Sequence, residues 1–165
     1  MDSAPVNGIE IAYHDEGAGR PVLLVHAFPM SSAMWTRQIA GLAPRCRVIA
    51  PDLRGFGETA RGTGAASLDQ IADDLAGLLD ALKIERAAVV GLSMGGYVSF
   101  ALWRRHRDRV AALVLADTRA DADGDEGRQN REQNARLVEI PGAGHISNLE
   151  NPEAFNAALL EFLEG

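Results

Sequence analysis

Short apolar segments alternate along the chain with stretches in which apolar residues recur every three or four positions. Apolar runs of this kind are typical of strands buried on both faces of a parallel sheet, and the three-to-four spacing is typical of amphipathic helices. The runs predict five strands, at Val22–Val25, Val48–Ala50, Ala87–Val90, Leu113–Leu115 and Leu137–Ile140. Before them, Asn7-Gly8 is a hairpin-turn signal that predicts an antiparallel lead-in.

Helices are predicted between these strands. Ser67-Leu-Asp-Gln70 is a capping box, and leucines at helical spacing follow it as far as Leu82. Asn151-Pro152 supplies an N-cap and a proline at the first position of a closing helix. Two further helices are predicted over residues 31–43 and 94–107. This order of elements predicts an α/β fold with a mostly parallel sheet flanked by helices.

Composition narrows the class of protein. A chain of 165 residues, 47% of them apolar, suits a single domain over 1–165. The lone cysteine, Cys46, excludes a disulfide scaffold and a cysteine-based zinc site. No apolar run reaches the roughly 18 residues of a membrane span, and no signal peptide is recognisable, so we expect a cytoplasmic protein. The net charge of -7 argues against a nucleic-acid partner.

A glycine-rich turn carries the first chemical signal. Gly91-Leu-Ser-Met-Gly95 matches the pattern G-x-S-x-G between a predicted strand and a predicted helix. A reversal this tight needs small neighbours and lifts the Ser93 hydroxyl clear of the sheet, above a helix N-terminus that favours negative charge. Ser93 is therefore a candidate nucleophile. The alternative interpretation is a structural turn with an incidental serine.

This segment resembles the nucleophile elbow of the α/β-hydrolases, and three other segments agree with it in the family's order. His26-Ala-Phe-Pro29 is similar to the oxyanion loop, and Pro51–Gly57 is similar to the loop after the next strand. Gly142-Ala-Gly-His145, followed by Asn151-Pro152-Glu153, resembles the catalytic histidine loop and the closing helix. The resemblance covers nearly the whole chain and implies an α/β-hydrolase fold.

A serine hydroxyl needs a base within hydrogen-bond reach, and the chain has four histidines. His145 follows a predicted strand at the sheet edge where Ser93 lies, so we predict that it is the base; a structural loop histidine is the alternative. His14 and His106 are predicted to face solvent. The resemblance implies a structural hydrogen-bonding role for His26.

The resemblance also implies an oxyanion hole made by the backbone N–H groups of Phe28 and Met94. Ala27 stands where the family usually has glycine. We predict that Met30 and Trp35 line the substrate pocket, and packing of a helix face is the alternative for Trp35.

The third member of a catalytic triad is harder to assign. In the family an acid usually follows the seventh strand, and a cap usually separates strands six and seven. Here the predicted strands at 113–115 and 137–140 resemble strands six and eight, so the cap is expected to be absent or reduced to 118–135. Strand eight would then move beside strand six, since a parallel crossover needs only about a dozen residues. Alternatively a second copy supplies the missing surface, or the chain is a non-catalytic relative.

Asp117 is the predicted acid, because it follows the predicted strand six and some members of the family place their acid there. Its alternative role is to cap the following segment or to bond backbone. Asp52 is a second candidate, although it better fits a loop brace paired with Arg54. The remaining acids near the site are interpreted as exposed or structural: those within 121–126, Glu139 and Glu150.

These assignments predict a serine hydrolase that cleaves carboxylic esters or lactones through an acyl-enzyme. The alternative is a weak or silent truncated hydrolase that serves as a scaffold or binding protein. No cofactor is expected, since the glycines at 91–96 lack the lysine of a phosphate-binding loop and no metal-ligand cluster is visible. A missing cap would expose apolar surface, so we expect a homodimer.

Overall fold

A computed structural model describes residues 1–118 and 136–164 of the chain. Its centre is a six-stranded sheet in the order β1-β2-β4-β3-β5-β6. The pairs β1–β2 and β2–β4 are antiparallel, and all other pairs are parallel. The strands are β1 (Asp2–Val6), β2 (Ile9–Gly17), β3 (Arg20–Val25), β4 (Cys46–Pro51), β5 (Ala87–Leu92) and β6 (Val110–Ala116).

Five α-helices accompany the described part of the sheet. They are α1 (Thr36–Leu42), α2 (Leu68–Ala81), α3 (Met94–Arg105), the single turn α4 (Ser147–Glu150) and α5 (Pro152–Glu164). Short 3₁₀ helices at Ser32–Trp35 and Arg107–Arg109 precede α1 and β6. The predicted caps are confirmed: Ser67 Oγ accepts from the N–H of Gln70, and Asn151 Oδ1 accepts from the N–H of Ala154.

The apolar core has two layers because successive strand residues point to opposite faces of the sheet. Leu23 and Val25 pack on one face with α2, α3 and the β1–β2 hairpin. Val22 and Leu24 pack on the other face with α1 and α5. The central strand β5 is buried along its whole length. The predicted α/β architecture is therefore confirmed.

Four of the five predicted strands and the Asn7-Gly8 hairpin turn are confirmed, with φ of 46° and 79° at the two turn residues. The prediction of a strand at Leu137–Ile140 is wrong. These residues pair with no described strand, and the side chain of Leu137 is 88% exposed. An apolar run forms a strand only where another strand offers it a ladder of hydrogen bonds.

The cap is expected to be absent or reduced to 118–135, and of this segment residues 119–135 lie outside the described residues. No helix in the described ranges has the length and apolar character that crossing a bilayer requires.

A buried ion pair ties three parts of the fold together. The guanidinium of Arg54, in the loop after β4, donates from Nε and Nη2 to the Asp74 carboxylate in α2, at 2.7 and 2.8 Å. Asn7, in the hairpin turn, donates to the same carboxylate at 3.0 Å. Both charged side chains are at least 95% buried. Arg54 thus pairs with Asp74, which corrects the expectation that its partner is Asp52.

We expect Asp74→Asn to lower the free energy of unfolding by about 3–5 kcal/mol, because it leaves the Arg54 charge buried without a counter-charge. The control is Asp80→Asn, which breaks the ion pair between Asp80 and Arg109. The Asp80 side chain is 69% exposed. That change should cost about 0–1 kcal/mol. Urea unfolding of both variants measures the difference, and equal losses would contradict the prediction.

Candidate active site

Ser93 sits on a strained turn between β5 and α3. Its backbone has φ 52° and ψ −113°, a left-handed conformation that side chains other than glycine rarely adopt. Two hydrogen bonds hold the turn: the Ser93 N–H donates to Ala116 O at 3.0 Å, and Thr118 Oγ1 donates to Ser93 O at 2.9 Å. The end of β6 therefore fixes the backbone of the elbow.

Two glycines let the amino end of α3 approach the sheet. A Cβ on Gly95 would collide with the carbonyl oxygen of Val25 at the end of β3, and one on Gly96 would collide with the Thr118 side chain. Glycine is needed at both positions, the last of the motif and the one that follows it, because backbone and side-chain atoms already occupy that space. This close approach brings the start of α3 next to the loop that follows β3.

The structure brings His145 to Ser93. The Nε2 atom of His145 lies 3.0 Å from Ser93 Oγ, within the distance at which a base accepts a hydroxyl proton. Ser93 is half-buried, and His145 is exposed. Among the described residues, the His145 ring makes no hydrogen bond other than the one with Ser93.

The backbone on both sides of His145 is bound by Glu150 of α4. Oε2 of Glu150 accepts from the N–H of Gly144 at 2.6 Å, and Oε1 accepts from the N–H of Ile146 at 3.0 Å. These two bonds, and to a lesser degree the nearby imidazole, lower the pKa of Glu150 below its ordinary value. Sequence reasoning treated Glu150 as merely structural. Its place four residues after Ile146, one helical turn away, is the signal that could have identified this contact.

Asp117 lies at the end of β6 in a left-handed conformation, with φ 49°. Its Oδ2 atom accepts from both the N–H and the hydroxyl of Ser147, at 3.1 and 2.6 Å. Among the described residues no hydrogen bond joins Asp117 to the His145 ring. Asp117 thus reaches the backbone two residues beyond the histidine, and its assignment as the triad acid stays a prediction.

The backbone N–H groups of Phe28 and Met94 are the predicted oxyanion donors. In the described part of the chain, the N–H groups of Phe28 and Met94 donate to no protein acceptor. The first belongs to the loop after β3, and the second opens α3, where the helix dipole favours negative charge. They are thus available to a bound ligand.

His26 braces the same loop. Its side chain is fully buried, and burial lowers its pKa, so the ring is neutral. Nε2 accepts from the N–H of Leu53 at 3.0 Å, which leaves the proton on Nδ1 to be donated to Ala27 O at 2.9 Å. His26 therefore joins the loops that follow β3 and β4.

The two predicted pocket residues differ in position. Met30 is half-buried against the core layer of α1 and α5, whereas Trp35 is fully buried in that layer with its ring 6.1 Å from Phe155. Trp35 therefore takes its alternative role of helix packing, because a side chain with no exposed surface does not meet a ligand. Phe28, by contrast, is 68% exposed.

Asp52 is a loop brace and not part of the site. Its Oδ1 atom accepts from the N–H of Ser32 at 2.7 Å, and its Oδ2 atom accepts from the N–H of Glu58 at 2.8 Å. His14 and His106 are half-buried instead of solvent-facing, and His106 contacts the Asp73 carboxylate at 2.7 Å.

A shallow depression of about 420 Å³ lies at the opposite edge of the sheet. It is lined by residues that precede β5 and β6, including Lys83, Glu85 and Asp108. Ser93 and His145 lie at the carboxyl edge, so we place the candidate site there.

The sequence model of the alpha/beta hydrolase fold family matches residues 20–135. Among curated proteins, 2-hydroxymuconate semialdehyde hydrolase from Pseudomonas sp. (strain CF600) is 43% identical over 112 residues. That match covers 66% of this chain and 40% of the relative, so the chain spans less than half the length of that protein. Relatives also include a soluble epoxide hydrolase from Corynebacterium sp. (strain C12) and a haloalkane dehalogenase from Mycobacterium bovis.

Solved structures agree with this family. A thermophilic esterase from Thermogutta terrifontis superimposes with a TM-score of 0.71 at 42% identity, covering 99% of this chain and 64% of the esterase. An enol-lactonase from Burkholderia xenovorans LB400 gives a TM-score of 0.69 at 34% identity, covering 84% and 55% of the two chains. These matches confirm the fold that the four motifs imply.

The strain at the elbow predicts an unusual order of stability. We expect Ser93→Gly to be more stable than Ser93→Ala by about 1 kcal/mol, because glycine alone adopts the positive φ without cost. Both variants lack the hydroxyl, so the difference in their urea unfolding isolates the backbone. At Arg104, an exposed position within α3, the same two substitutions should rank in the opposite order. Greater stability of the alanine variant at position 93 would contradict strain there.

Proposed function

The chain belongs to the α/β hydrolase fold family, and from this membership we propose that it is a serine hydrolase of carboxylic esters or lactones. The observation that carries the proposal is the 3.0 Å separation of Ser93 Oγ and His145 Nε2 at the carboxyl edge of the sheet. A hydroxyl on a strained elbow beside an imidazole is the arrangement that nucleophilic acyl transfer requires. The substrate is a small molecule.

In the proposed reaction Ser93 Oγ attacks the ester carbonyl carbon while its proton passes to Nε2 of His145. The carbonyl oxygen becomes an oxyanion, held by the N–H groups of Phe28 and Met94. The carbon–oxygen bond to the alcohol then breaks, and the imidazolium gives its proton to the leaving oxygen. Water, deprotonated by His145, attacks the acyl-Ser93 carbonyl, and the carboxylic acid leaves as Ser93 regains its proton.

A serine nucleophile is compatible with only some of the reactions that the names of the relatives describe. Attack of a serine on an alkyl halide or an epoxide would leave an ether, which has no carbonyl carbon for water to attack. Attack on an ester or lactone leaves an acyl-serine, which water does release. Ser93 thus supports carbonyl substrates, as do the esterase and enol-lactonase among the similar structures.

Asp117 is proposed as the supporting acid. It acts through Ser147: the Asp117 carboxylate accepts hydrogen bonds from the Ser147 N–H and hydroxyl, and so steadies the segment that carries His145. In a serine protease, loss of the acid that fixes the histidine tautomer lowers turnover by about 10⁴-fold without abolishing catalysis. A Ser93–His145 pair with indirect support would therefore be a slow esterase. Met30 and Phe28 are proposed to contact the substrate.

A fluorophosphonate distinguishes this function from a silent scaffold, because only an activated serine reacts with it quickly. We expect one covalent adduct per chain, none in Ser93→Ala, and labelling at least about 100-fold slower in His145→Ala, where the base is gone. Intact mass spectrometry over a time course measures the rates.

Asp117→Asn is the third variant in this experiment, and slower labelling would support Asp117 as the acid. The control is Asp80→Asn, which alters an aspartate at the opposite edge of the sheet, paired with Arg109, and should leave the labelling rate unchanged. A folded wild-type chain that takes up no label would overturn the proposed function in favour of the scaffold.

We also propose that the chain forms a homodimer. Large apolar side chains are exposed near the carboxyl edge of the sheet, where a second copy would cover them. They include Phe28, Tyr97 and Leu115. Sedimentation velocity over a range of micromolar concentrations should give the mass of two chains, since burial of this surface favours association. A single-chain mass at every concentration would contradict the proposal.

A further inference from the structure

The segment that carries His145 has little structure of its own. It consists of two turns, at 141–142 and 145–146, joined by two residues; it belongs to no strand and is exposed at His145 itself. Gly142, three residues earlier, has a positive φ of 68°, and a Cβ added there would meet no described atom within 4 Å. The position of the imidazole therefore depends on what binds the backbone around it.

Glu150 supplies that binding. Its two carboxylate oxygens accept from the peptide N–H groups of Gly144 and Ile146, so that each residue adjoining His145 is fixed by one oxygen. Bonds from N–H donors to an ionised carboxylate are about twice as strong as those between neutral groups. The next N–H along the chain, that of Ser147, is bound by Asp117. Two carboxylates from different elements thus hold one short segment.

We propose that Glu150 is a positioning residue for His145, holding the flanking peptide groups so that Nε2 stays at the Ser93 hydroxyl. The inference rests on the proposed serine-hydrolase function and adds to it a residue that the reaction needs but that touches no substrate. Glu150 acts through the backbone, whereas a conventional triad acid accepts a hydrogen bond from the imidazole ring itself.

The negative charge of Glu150 also supports a role beside His145. The Glu150 carboxylate and the His145 ring attract one another when the ring carries a proton, which is one cause of the lowered pKa of Glu150. The ring gains that proton during attack, so the carboxylate stabilises the charge that forms there. Asp117, bonded to Ser147, is the other charged side chain that the hydrogen bonds attach to this segment. The lowered pKa of Glu150 means that its carboxylate stays ionised, and the contact intact, from neutral pH down to a pH below the ordinary glutamate value.

The first test is Glu150→Gln, which keeps the shape of the side chain but replaces one of two acceptor oxygens with an N–H₂ group. We expect kcat for p-nitrophenyl acetate to fall about 10- to 100-fold with a smaller change in KM, because a displaced catalytic group costs turnover more than binding. The control is Glu153→Gln, which removes the same charge three residues later from a side chain that is 82% exposed. Its kcat should stay within about twofold of wild type, as surface substitutions generally have small effects.

Thermal melting of both variants shows whether Glu150→Gln is folded. A folded Glu150→Gln with the same kcat as Glu153→Gln would overturn the proposal. The split between the two kinetic constants is a readout that a merely structural role would not move, because loss of positioning lowers kcat while KM stays nearly unchanged.

A second measurement needs no activity. In wild-type protein the amide ¹H signals of Gly144 and Ile146 should move upfield together as acid protonates Glu150, with a midpoint below the ordinary glutamate pKa of 4.5. Amides that do not titrate, or that titrate at 4.5 or above, would overturn the contact on which the proposal depends. Absence of fluorophosphonate labelling in wild type would instead refute the proposed hydrolase function, so the two failures are distinguishable.

Discussion

The close approach of α3 to the carboxyl edge of the sheet is the constraint on which the candidate site depends. Gly95 and Gly96 leave no room for a Cβ against Val25 and Thr118, so the first turn of α3 lies directly on the strand ends. That approach forces Ser93 into its positive φ and presents its hydroxyl above the helix N-terminus. It also sets the Met94 N–H beside the loop that carries Phe28.

Buried polar contacts fix the loops that surround this turn. Neutral His26 joins the loop after β3 to the one after β4, Asp52 holds the latter to the start of the 3₁₀ helix, and Arg54 secures it to α2. Each of these groups is buried with its partners satisfied, since an unpaired polar group in the interior costs several kcal/mol. Such loops are rigid enough to present backbone N–H groups to a ligand.

The histidine side of the site is held differently. His145 lies on an exposed segment with no strand behind it, and the carboxylates of Glu150 and Asp117 bind its backbone. Charged acceptors on peptide N–H groups substitute for the ladder of hydrogen bonds that a paired strand would provide. Ser93 is therefore held by packing against the sheet, and His145 is held by electrostatic contacts at the surface.

Local pattern determined much of this protein: four buried strands, the Asn7-Gly8 turn, the caps at Ser67 and Asn151, and the elbow around Ser93 all follow from residues near one another in the chain. Only the tertiary structure determined which residues that are distant in the chain come into contact. It paired Arg54 with Asp74 and buried Trp35 against Phe155. It also left Leu137–Ile140 outside the described sheet and brought Glu150 onto the backbone beside His145. The physical reason is that propensity and turn chemistry act over a few residues, whereas ion pairs, side-chain packing and strand pairing depend on distances that the fold alone sets.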